Sequence, residues 1–134
     1  MRKVNILPCS LIWVEAILDT NFIIGCVKEQ IPFLEQLREK GFTPMVPKEV
    51  LEEMKDLRFK VPHDQRVVID LGFVLLEQHK VKKVTLGGRT VDEGLIVKGK
   101  QGTYIATLDG KIRKMIPKRI GLSTARKSVM VEEA

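Results

Sequence analysis

An apolar run from Ile12 to Leu18, interrupted only by Glu15, stops at Asp19-Thr20-Asn21 and resumes at Phe22-Ile23-Ile24. Near-continuous apolar stretches of this kind suit a strand buried on both faces of a parallel sheet. The pattern predicts a first strand over Trp13 to Leu18. Between Lys28 and Lys40 the apolar positions 33, 34 and 37 share a helical face, with Pro32 fitted to the first turn and Gly41 to a left-handed cap. Phe42 to Pro47 predicts a short strand, and its prolines, which lack a ladder donor, assign it to an edge or a brief pairing.

Val50, Leu51, Met54 and Leu57 then mark a helix starting near Pro47-Lys48. A second helix runs from Pro62 to about Gln78, with Val67, Val68, Leu71, Val74 and Leu75 as its apolar positions and Gly72 weakening it slightly. Val81 to Leu86 predicts a strand ended by Gly87-Gly88, and Thr90-Val91-Asp92-Glu93 has the form of a capping box. Tyr104 to Leu108 predicts a strand broken at Asp109-Gly110, and Lys111 to Ile116 follow, closed by Pro117. Ser128 to Val131 is the clearest part of a closing strand or hairpin, and residues 1–11 are expected to be a loose arm or a short edge element. Alternating strands and helices predict one α/β domain over residues 1–134, built on a central, mainly parallel sheet.

Composition narrows the class. A chain of 134 residues, 44% hydrophobic and 30% charged, can bury a core, and it has no apolar run long enough to cross a membrane. Arg2-Lys3 ahead of Ile6-Leu7 imitates a signal peptide, but Pro8, Glu15 and Asp19 break it. Cys9 and Cys26 lack metal-ligand spacing, so a reduced, cytoplasmic setting is expected. The net charge is +6; from Lys98 onward nine bases face three acids, which by itself accounts for that excess. The bias suits a polyanionic partner, and equally a solvated basic surface. No glycine-rich nucleotide loop follows a strand.

The candidate chemistry lies in the acids. Open α/β sheets place their sites outside the carboxyl ends of strands, where Asp19 and Asp109 both fall. Neighbouring strands lie about 4.8 Å apart, so two such acids meet if their strands adjoin. Like charges at that distance need a cation between them, and oxygen-only ligands suit Mg²⁺ or Mn²⁺. Glu49 and Glu53 share one helix face. Asp92 and Glu93 open the later helix, where negative charge is favoured in any case. If Glu93 reaches back to cap Thr90, Asp92 is the one left to project. His63 and His79 have no paired spacing.

The chain resembles the PIN-domain nucleases in Ile-Leu-Asp-Thr-Asn-Phe-Ile (17–23), Val-Pro-Lys-Glu-Val-Leu-Glu-Glu-Met (46–54), Val-Asp-Glu-Gly-Leu-Ile (91–96) and Tyr-Ile-Ala-Thr-Leu-Asp (104–109). Within that family it looks most like the ribosomal-RNA-processing branch, with VapC-type toxins next. The resemblance implies a three-layer α/β/α fold and a Mg²⁺- or Mn²⁺-dependent endoribonuclease acting on RNA, such as an rRNA precursor. It implies Asp19 and Asp109 as principal metal ligands, Glu53 as the helix acid, and Asp92 or Glu93 as the third acid; matching Gly-Leu-Ile points to Glu93 and capping to Asp92. Asn21 and Thr107 would orient the carboxylates and the water, while Lys111, Arg113, Lys114, Lys55 and Arg58 would grip RNA phosphates. A homodimer, or an antitoxin for a toxin-type member, is the implied protein partner. Two alternatives stand beside this: a PIN fold that binds RNA without cutting, and a haloacid-dehalogenase-type phosphatase. The phosphatase wants a second Asp two residues after the first, where this chain has Asn21.

Overall fold

The computed structural model describes residues 13–133. The expected arm at 1–11 and Cys9 lie outside them. Six strands form one sheet in the order β3-β2-β1-β4-β5-β6: β1 (Val14–Leu18), β2 (Phe42–Pro47), β3 (Lys82–Val84), β4 (Tyr104–Ala106), β5 (Lys118–Ser123) and β6 (Ser128–Glu133). Every pairing is parallel except the β5–β6 hairpin. The helices are α1 (Thr20–Lys28), α2 (Phe33–Glu39), α3 (Lys48–Arg58), α4 (His63–Gln78), α5 (Val91–Lys100) and α6 (Gly110–Met115).

The period-two alternation of the strands builds three layers. Ala16, Leu18, Tyr104 and Ala106 face the larger core, which they share with Phe22, Leu37, Met54 and Ile69 from α1 to α4. Ile17 and Ile105 face the opposite way, onto Leu95 of α5 and Ile112 of α6. The expected α/β/α arrangement around a mostly parallel sheet is therefore what the chain adopts.

Residues 20–28, to which the sequence pattern assigned no element, form a helix, although their apolar cluster follows directly on the strand. Phe22, Ile23, Cys26 and Val27 are buried at the i, i+1, i+4, i+5 spacing of one helical face. β2 is an interior strand, and the expected brief pairing is found on its outer side, where only Met45, Val46 and Pro47 pair with β3. Its pairing with β3 begins only at Met45, so Pro44 faces no strand on that side and its missing donor costs no ladder bond there. Cys26 is buried in the core, and burial pushes its thiol up to about 12. Among the described residues no helix is long and apolar enough to cross a membrane.

The topology fixes where a site belongs. From β1 the chain goes to β2 and β3 on one side, then returns to β4 on the other, with Leu18 in register with Ala106. The order reverses between β1 and β4, and the crevice at their carboxyl ends is the place where open α/β sheets bind ligands.

Candidate active site

Both strand-end aspartates fall in that crevice. Asp19 caps α1: its Oδ1 accepts from the Thr20 amide at 2.8 Å, and its own amide donates to the Ala106 carbonyl of β4 at 2.9 Å. Its Oδ2 accepts from the Thr107 hydroxyl at 2.7 Å, so the carboxylate is held from the start of α1 and from the residue that follows β4. Asp109 caps α6 through a 2.9 Å bond from the Lys111 amide, and its own amide donates to the Thr107 Oγ at 3.2 Å. Thr107, fully buried, thus joins the two acids. Asn21 Oδ1 accepts from the Leu108 amide at 3.0 Å, fixing the loop that delivers Asp109.

The helix acids arrive from the far side. Asp19, Glu53, Asp92 and Asp109 line one cleft of about 700 Å³. The Thr20 hydroxyl donates to Glu53, tying α1 to α3. Glu93 is turned away from this cleft. It completes the cap of α5, accepting from the Arg89 amide at 3.3 Å while its own amide donates to Thr90 Oγ at 3.1 Å. The reach is to Arg89 and not to Thr90 itself, but it has the same effect of occupying Glu93 and leaving Asp92 at the cleft.

Burial pushes the Asp19 carboxyl above its ordinary value; the bonds from Thr107 and Thr20 oppose the shift, and repulsion from Glu53 and Asp92 adds to it. With the side chain only 4% exposed, a charge here is poorly hydrated. Among the described residues no Lys or Arg forms an ion pair with any of the four acids. Capping accounts for one oxygen on each aspartate. It does not account for these four and Asp56 sharing a cleft with, among the described residues, no ion pair to any of them.

The donor set matches a hard divalent ion in kind, with carboxylate oxygens and neither thiolate nor imidazole. Its spacing is looser than its chemistry. Among the described residues no three Asp, Glu, His or Cys side chains are grouped closely enough to hold an ion as they stand.

The expected phosphate-gripping residues divide. Lys111 and Lys114 are exposed on α6 beside Asp109. Arg113 is committed internally, donating to the Thr107 carbonyl at 3.1 Å and to Glu132 at 2.5 Å. Arg58 makes a two-pronged bond to Asp70 at 2.8 and 3.1 Å, and Lys55 pairs with Glu52 at 3.2 Å on the surface. The cleft also holds Thr20, Lys28, Asp56 and Lys60, which the sequence did not single out. Helical spacing carried part of the signal: Lys28 lies two turns beyond Thr20 and Asp56 follows Glu53 at i+3, while Lys60 lies past the end of α3 and had none. Comparison with protein-family models finds no match, and comparison with curated proteins finds none either.

Proposed function

We propose that the protein is a PIN-type, divalent-metal-dependent endoribonuclease that cuts RNA phosphodiester bonds, with rRNA processing as its setting. The observation that carries this is the convergence of Asp19, Glu53, Asp92 and Asp109, from four separate elements, on one cleft at the switch point of the sheet. These four would hold Mg²⁺ or Mn²⁺. When bound, such an ion lowers the pKa of a water ligand and offsets charge on the phosphate. The chain's own residues supply orientation. Thr107 donates to Asp19 and so favours its ionised form, Thr20 sets the rotamer of Glu53, and Asn21 holds the loop before Asp109. Lys111 and Lys114 stand beside Asp109 as phosphate contacts.

The loose spacing of the acids favours a second reading, an RNA-binding scaffold that does not cut. Single-turnover cleavage of a structured RNA with Mn²⁺, compared with Asp19→Asn, separates the two. The nuclease reading expects wild-type cutting and a loss of at least about 100-fold in the variant, since even supporting residues of metal sites cost 10–100-fold. Equal RNA binding with no cutting by either form favours the scaffold. Growth arrest on expression would indicate a toxin in place of rRNA processing.

A further inference from the structure

Beside the acidic cleft lies a recess of about 270 Å³ that shares Ile24, Leu57 and Lys28 with it, so the two spaces adjoin. Val61, Val68 and Ile69 complete apolar walls, and Asp64 and Gln65, both exposed on the first turn of α4, are its polar members. It is too small for a drug-sized ligand and suits a single heterocycle. Lys28 stands at the junction, Lys60 lines the cleft, and among the described residues neither is paired with a carboxylate.

We propose that this recess, with Lys28 at its junction and Lys60 in the adjoining cleft, is a subsite for one unpaired guanosine of the RNA strand. The inference rests on reading the neighbouring cleft as an RNA site. The aliphatic walls take a base by apolar contact, and the two ammonium groups take the flanking phosphates. Specificity comes from the polar members. An ionised Asp accepts only, and the Watson–Crick edge of guanine presents two adjacent donors, N1–H and the N2 amino group, that match its two oxygens. The Gln65 amide can donate to O6 beside them. That edge is used up in a duplex, so the subsite selects single-stranded or looped RNA. Lys28 in the last turn of α1 and Asp64 in the first turn of α4 each also favour their helix dipole. Dipole effects alone do not require the two residues to line one recess.

A rival surface for the base exists on the same bend of the chain. Phe59 is 77% exposed, with the Arg58 guanidinium 5.7 Å from its ring centroid. The experiment sets the two against each other. Anisotropy of a labelled oligouridine carrying one guanosine, and of its adenosine counterpart, is measured on the full chain without divalent ions. Wild type should prefer guanosine by roughly tenfold, the discrimination of one bidentate base contact. Asp64→Asn should remove most of that preference, and Gln65→Ala part of it. Lys28→Gln with Lys60→Gln should weaken both oligomers alike and flatten the log–log salt slope by about 1.4, two single-strand phosphate contacts. No guanosine preference in wild type, a preference that survives Asp64→Asn, or one abolished by Phe59→Ala overturns the proposal. Cleavage with Mn²⁺ is scored apart. A preference without cutting keeps the subsite and removes the nuclease, and cutting without a preference does the reverse.

Discussion

Asp19 holds two offices whose demands conflict. As the cap of α1 it belongs to the fold, and as a carboxylate 4% exposed beside Glu53 and Asp92 it works against the fold. Burial raises its proton affinity in the folded state. Its contribution is therefore favourable below the unfolded carboxyl value and is lost as pH rises through the raised one. At neutral pH the ionised form costs stability. Asn caps helices as well as Asp does. In chelator at pH 7, Asp19→Asn should thus melt roughly 2–4 °C above wild type, the shift that about 1 kcal/mol gives in a chain of this size. The gap should close toward acid pH. Mn²⁺ should raise the wild-type Tm and leave the variant unmoved, because only a folded site with its ligand intact gains from binding. Scanning calorimetry across pH reads both, and a variant melting below wild type at pH 7 would refute the conflict. Asp19 and Asp109 were legible because an acid ending an apolar strand is conspicuous. The commitment of Arg58 to Asp70 and Arg113 to Glu132 was not, because each partner comes from a different element.

Among the elements, α3 does more than deliver Glu53. Its Glu49 accepts from the Leu86 amide at 3.2 and 3.1 Å and from the Gly87 amide at 3.3 Å, latching the loop that leads into α5 and Asp92. Burial disfavours the Glu49 charge, but bonds from its own amide and those of Leu86 and Gly87 outweigh it and hold the carboxyl below its usual value. The latch is thus intact above the ordinary glutamate range and fails only as pH falls through the lowered value. Glu49→Ala should speed amide exchange at Leu86 and Gly87 and cut activity about tenfold or more by loosening Asp92. Unchanged exchange there would dismiss the latch. Glycines set how closely α5 sits. A Cβ on Gly99 would meet Ile116 Cγ2 at 2.3 Å, whereas one on Gly110 meets nothing within 4 Å. Chemical denaturation should show Gly99→Ala losing about 1–3 kcal/mol and Gly110→Ala gaining about 0.4–1 kcal/mol. Most elements were readable from period alone. Helix α1 escaped because β-branched residues at 23 and 24 follow the strand with no break except the acid, which ended one element and began the next.

At the scale of the whole molecule, the net charge of +6 divides into cations that hold the fold and cations free for a ligand. Sequence could locate the excess in the last third, but it could not divide it, since the division depends on which bases the β5–β6 hairpin brings to Glu132. That residue receives Arg113 at 2.5 Å, and Arg119 Nε, buried without a hydrogen bond, faces the same oxygen at 3.5 Å. Lys127 is engaged as well, its exposed ammonium donating to the Glu29 carbonyl at 2.9 Å on the surface. Lys111 and Lys114 stay exposed on α6, the helix that Asp109 caps, and Lys28 and Lys60 stay in the cleft. Among the described residues, lysines without a carboxylate partner therefore lie in the cleft and on α6, where the proposed reading puts RNA, while in the hairpin positive charge is spent on cohesion. Neutralisation in each region should separate the two uses. Glu132→Gln leaves two guanidinium groups facing a neutral amide. It should lower stability by about 1 kcal/mol, modest because the carboxylate is partly exposed and screened, with no loss of RNA affinity at fixed salt. Lys111→Gln with Lys114→Gln should do the opposite, leaving the melting curve in place while weakening single-stranded RNA binding and flattening its salt slope by about 1.4. If the hairpin variant loses RNA and the α6 variant does not, the ligand lies across the β5–β6 edge and the acidic cleft is not where it binds.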